Sequence, residues 1–155
     1  MRVVETFSHL QALDIVRARN SVWDEITQVL EKPEIQFGHD STSEIKSMIA
    51  ESFNRIGWAD RVRVHRSTRL TVSFAKDRVG LCVQLGNVAR TYADILKLEL
   101  LNDRGVIDVG VIVVPDHIAS KSLGANYARF DRLTQELDLF VNIVAVPVLV
   151  VGISN

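Results

Sequence analysis

A single cysteine among 155 residues excludes an intrachain disulfide and any cysteine-rich zinc site, and it fits a reducing compartment. An excess of charge is missing too. The net charge is −1, so nothing draws the whole chain towards nucleic acid or an anionic membrane. Any DNA contact must come from a local patch. The opening residues Met1–Thr6 lack the apolar run of a signal peptide. The longest apolar stretch, Leu139–Ile153, is broken by Asn142 and Pro147 and is too short to span a bilayer. The expectation is a cytoplasmic protein with no membrane partner. There is no low-complexity segment, internal repeat or linker, so residues 1–155 are expected to form one domain. A hydrophobic content of 47% against 24% charged residues is ordinary for a globular chain of this length with a real core.

What is present is organised around Arg69–Leu101. Leu70, Val72 and Phe74 alternate with Thr71, Ser73 and Ala75. After the polar turn Lys76-Asp77-Arg78, Val79, Leu81, Val83 and Leu85 alternate with Gly80, Cys82 and Gln84. Alternation across a polar turn predicts a hairpin with one apolar face. The other face then carries Thr71, Ser73, Cys82 and Gln84, with Ser73 opposite or diagonal to Cys82.

Before the hairpin, a short strand is expected at Arg2–Phe7 and a helix over His9–Arg19. A second helix follows Ser21, with Asp24 placed for a capping box, and ends by Pro33. Ser41 with Glu44 predicts another capping box, opening a helix through about Arg55. Asp60–Arg69 reads as a strand leading into the hairpin. After the hairpin comes a helix with Val88, Ala89, Tyr92, Ala93, Leu96 and Leu100 towards the core. Its polar side holds Arg90, Asp94 and Lys97, of alternating sign. Val106–Val114 has the composition of a buried central strand, and Val144–Ile153 of another, with a helix over Asn126–Leu137 between them. This order predicts an α/β or α+β fold, a mixed central sheet flanked by helices.

The string VGLCVQLGNVARTYADILKLELL resembles the core of the BglII/BstYI-type restriction endonucleases. The resemblance implies a PD-(D/E)xK nuclease fold, Mg²⁺-dependent type II cleavage of double-stranded DNA, and a homodimer. The family pattern is an acidic residue on the first strand, Glu-x-Gln on the second, then Gly-Asn and an amphipathic helix. Gln84, Gly86 and Asn87 match it. Cys82 stands at the Glu position and Ser73 at the upstream acidic position, so the resemblance implies that both catalytic carboxylates are replaced.

Phosphodiester hydrolysis on such a fold needs Mg²⁺ held by hard anionic oxygens. Ser73 is neutral, and Cys82 is a soft ligand that is mostly protonated at neutral pH. A site built from Ser73, Cys82 and Gln84 is expected to hold Mg²⁺ weakly or not at all. Glu44 and Glu51 share a helix face and are candidates to replace the lost charge, against the plainer reading of solvated surface carboxylates. Cys82 has no histidine placed beside it as a base, so the plain reading is a small, semi-buried strand cysteine. Arg61, Arg63, His65, Arg66 and Arg69 form a basic cluster suited to DNA phosphates, or else a solvated strand edge. The expectation is thus a catalytically impaired, DNA-binding homologue. The alternatives are an active nuclease with a rearranged acidic site, or an interaction domain that keeps only the fold.

Overall fold

The computed structural model describes residues 1–155. Its strands are β1 (Arg2–His9), β2 (Ala59–Arg63), β3 (Thr71–Lys76), β4 (Val79–Val83), β5 (Val109–Pro115) and β6 (Val148–Ser154). Its helices are α1 (Ala12–Arg17), α2 (Val22–Leu30), α3 (Thr42–Arg55), α4 (Ala89–Asp103), α5 (His117–Leu123) and α6 (Phe130–Leu139). The strands form one mixed sheet in the order β1-β6-β5-β4-β3-β2. β4, β5 and β6 run parallel, while β2, β3 and β1 join antiparallel to their neighbours. No helix is long and apolar enough to cross a membrane.

The three parallel strands are buried along their whole length, as their aliphatic composition requires. Side chains alternate across the sheet into two cores. Val109, Val111 and Val113 of β5 face α1, α2 and α3, while Ile112 and Val114 face α4 and α6. The central strands are thereby covered on both sides.

The hairpin forms at Asp77-Arg78. Both residues adopt positive φ (47° and 64°), the backbone of a two-residue type I′ turn. Its ladder pairs Lys76 with Val79, Ala75 with Gly80 and Phe74 with Leu81. At the next step the strands part: the Val83 amide donates to the Ser73 hydroxyl instead, at 3.0 Å. Val72 and Phe74 do not share one apolar face as their spacing suggests. Val72 joins the α4/α6 core and Phe74 the α1–α3 core, so β3 rotates between them at Ser73.

The capping box at Ser41 and Glu44 is formed, with both reciprocal hydrogen bonds present. The one expected at Ser21 is not. Ser21 lies at φ 48°, which turns its side chain away from the helix start, and its hydroxyl donates to Glu25. Glu25 also accepts from the Lys76 ammonium (2.8 Å) and the Trp58 indole (2.7 Å), tying α2 to the hairpin. Between β5 and α6 lies the short helix α5, which Asp116 caps by accepting from the Ala119 amide at 2.6 Å.

The largest departure is the rotation of α4. Its buried residues are Thr91, Asp94, Ile95, Leu98 and Leu101, whereas Leu96 is 69% exposed. Apolar residues occur on both sides of this helix, so periodicity alone admits either phase. The sheet decides. Gly80 and Gly110 leave a depression that Leu98 fills: a Cβ at Gly110 would lie 2.7 Å from Leu98. Seating Leu98 there turns Asp94 inward.

Candidate functional site

Where β3 and β4 part, an open cleft of about 550 Å³ lies between α3, α4 and the strand ends. Thr71, Ser73 and Gln84 form its floor, Lys46 comes from α3, Arg90, Asp94 and Lys97 come from α4, and Asp60 and Arg61 from β2. Cys82, which the hairpin pattern places on the same polar face, does not line it. The thiol is 2% exposed and lies under α4 in the second core. Burial pushes its pKa far up, and the charge of Asp94 pushes it further, with Lys97 opposing. A thiol in this state is neither a metal ligand nor a nucleophile. Native Cys82 should therefore fail to react with a thiol reagent such as Ellman's reagent, and react promptly in denaturing guanidinium. Fast reaction of the native protein would show that α4 does not cover it.

The centre of the cleft is Asp94, which is 5% exposed. Its carboxylate accepts from the Gln84 amide at 2.6 Å and from the Lys97 ammonium at 2.7 Å. Only the amide nitrogen can donate to a carboxylate, so the Gln84 carbonyl oxygen must point elsewhere. That oxygen is buried without a partner. Sequence reasoning places Asp94 and Lys97 on a solvated helix side and so misses both. The signal was the Arg90-Asp94-Lys97 alternation, read with the wrong helical phase.

Glu44 and Glu51 do not line this cleft. Glu44 is held by its capping box with Ser41, and Glu51 pairs with Arg55 in solvent at 2.8 Å. The α3 residues that do face it are Lys46 and Ala50, so this helix contributes a cation and no carboxylate.

The basic cluster divides. Arg61, at φ 46° on the edge strand β2, reaches the cleft beside Asp60, its ion-pair partner at 3.3 Å. Arg63, His65 and Arg66 line a separate shallow groove with Arg104 at the far end of α4. Arg69 is exposed and lines neither. By helix rise, Asp94 and Arg104 lie about 15 Å apart along α4.

Four basic and two acidic side chains thus line the cleft. Asp60 is matched by Arg61 and Asp94 by Lys97, which leaves Lys46 and Arg90 without a carboxylate partner. Burial, and then the charge of Arg90, hold the Lys46 ammonium below the usual lysine range, with Asp94 opposing. Two adjacent cations that raise each other's energy make a concave site selective for anions.

The donor set is a poor fit to Mg²⁺. The ion asks for about six oxygens in octahedral array, normally with one or two free carboxylates. Here the Ser73 hydroxyl accepts from Val83, both Asp94 oxygens are taken and Asp60 is paired with Arg61, which leaves the Gln84 carbonyl as the one buried cleft oxygen without a partner. Nowhere does the chain bring together three His, Cys, Asp or Glu side chains able to hold a metal ion.

A family model described as restriction endonuclease BglII/BglIII matches residues 4–153. Among solved structures, this chain is similar to the restriction endonuclease BglII complexed with a DNA 16-mer. The TM-score is 0.84 at 16% identity, over 100% of this chain and 77% of that one. Against free BglII the TM-score is 0.77 at 17% identity, over 100% of this chain and 80% of that one. No curated protein matches the sequence. At such identities the likeness to the solved structures is one of fold.

Proposed function

The chain belongs to the BglII/BglIII restriction endonuclease family, and on that premise we propose that it is a cytoplasmic, duplex-DNA-binding homologue with impaired cleavage. The observation that carries this reading is the composition of the cleft. On the family resemblance Ser73 and Cys82 stand at the acidic positions, and the one buried carboxylate, Asp94, is already bound by Gln84 and Lys97. The metal step loses its ligands while the anion-binding surface remains. Lys46 and Arg90 in the cleft, and Arg63, Arg66 and Arg104 in the second groove, offer phosphate contacts.

Family descent also implies a homodimer. Leu96 and Leu100 of α4 are exposed, as are Leu139 and Ile143 at and beyond the end of α6. The Glu99 carboxylate binds the Ala145 and Val146 amides and so brings these segments side by side. A second copy would cover this apolar surface by two-fold contact.

The test combines cleavage, binding and mass. With Mg²⁺ or Mn²⁺, supercoiled plasmid is expected to stay uncut, while duplex DNA is bound with steep salt dependence. Sedimentation should give a dimer that Leu96→Glu dissociates. Cutting that disappears in Asp94→Asn would establish an active, rearranged nuclease. Absence of duplex binding at low salt would leave an interaction domain that keeps only the fold.

A further inference from the structure

The cleft holds a positive charge of its own beside its one buried carboxylate. Lys97 sits one helical turn after Asp94, and its ammonium is bonded to the Asp94 carboxylate at 2.7 Å, with side chains 19% and 8% exposed. Spacing of i, i+3 on one helix places the two groups within reach of each other. A divalent ion seeking Asp94 would have to displace this lysine and the Gln84 amide as well. Beside the pair stand Lys46 and Arg90, which lack carboxylate partners and repel each other.

We infer that Lys97, covalently built into α4, takes over the charge-neutralising part of the metal, so that Lys46 and Arg90 hold a DNA phosphodiester in this cleft without a divalent cation. The inference rests on the DNA-binding reading above and adds the partner group and its independence from metal. In a metal-dependent site, carboxylates repel the phosphate until the ion arrives. Here the carboxylate is neutralised in advance, and the remaining charges already attract the phosphate. The buried, unpartnered Gln84 carbonyl leaves an acceptor for a water or a bound hydroxyl at the cleft floor.

The experiment is fluorescence anisotropy of a labelled duplex, at matched ionic strength, in EDTA and in Mg²⁺. The wild type is expected to bind equally in both, within about twofold. Lys97→Met frees the Asp94 carboxylate. That variant should bind roughly tenfold more weakly in EDTA and recover in Mg²⁺, a response that a merely structural lysine would not produce. Binding by the wild type only when Mg²⁺ is present overturns the inference but leaves the DNA-binding reading standing. No binding in either condition overturns the DNA-binding reading itself. A Lys97→Met variant indifferent to Mg²⁺ removes lysine from the metal's role. Should that variant fail to fold, Lys46→Ala with Arg90→Ala, on half-buried and exposed positions, decides the matter. Measured in EDTA, it should flatten the slope of log affinity against log salt by about two. An unchanged slope places the phosphate elsewhere.

Discussion

Asp94→Leu should destabilise the protein by about 3 kcal/mol, read as a lower urea midpoint at unchanged slope. The carboxylate is nearly buried and serves two donors, so its loss strands the Lys97 ammonium and the Gln84 amide together. Breaking a buried pair by removing one partner costs more than removing both, because the surviving charge stays uncompensated. We place the value at the lower end of the usual range because Lys97 is a fifth exposed and can partly rehydrate. The double variant Asp94→Leu, Lys97→Met should regain most of the loss, a coupling that a double-mutant cycle measures directly. Additive losses would mean that Asp94 and Lys97 do not act as a pair, and the account of the cleft would fall with them.

Leu98→Ala should cost about 3 kcal/mol, while Leu96→Ala, two residues away on the same helix, should change stability by less than about 0.5 kcal/mol. For a chain of this length the first corresponds to a fall in Tm of roughly 6–12 °C. Leu98 is fully buried against Gly80 and Gly110, where truncation opens a cavity that the sheet backbone cannot collapse into. Leu96 is mostly in solvent in the single chain. Equal effects of the two substitutions, or a reversed order, would restore the helix phase that periodicity suggests. Thermal melts at low protein concentration keep self-association from masking the result.

These two expectations mark where sequence reading stops. The hairpin of β3 and β4 was legible because a polar turn interrupts two alternating runs, but the alternation did not fix the faces: Val72 and Phe74 enter different cores, and Cys82 is buried under α4. The capping box at Ser41 was legible because it is a local exchange between side chain and backbone. The same residue types at Ser21 misled, because Ser21 takes up positive φ and its hydroxyl goes to Glu25, whose other partners come from Trp58 and the hairpin. The apolar stripe of α4 was ambiguous because leucines lie on both sides of it. Only the glycine depression in the sheet chooses between them.

The chain alone determined the strand–turn–strand–helix core, the mixed sheet and the family resemblance. That resemblance in turn implies that Ser73 and Cys82 stand at the positions of a carboxylate pair. These follow from local periodicity and residue identity, which need no partner elsewhere in the chain. What Asp94 does was decided by tertiary structure, since a charged residue on an amphipathic helix can face water or a cleft at no cost visible in its neighbours. The packing of Leu98 onto Gly110 turned it inward, and Gln84 and Lys97 supplied the hydrogen bonds and charge that make its burial tolerable. The division of the Arg61–Arg69 cluster was decided in the same way: the backbone conformation at Arg61 and the path of α4 send one part to the cleft and the other to a groove at the helix's far end.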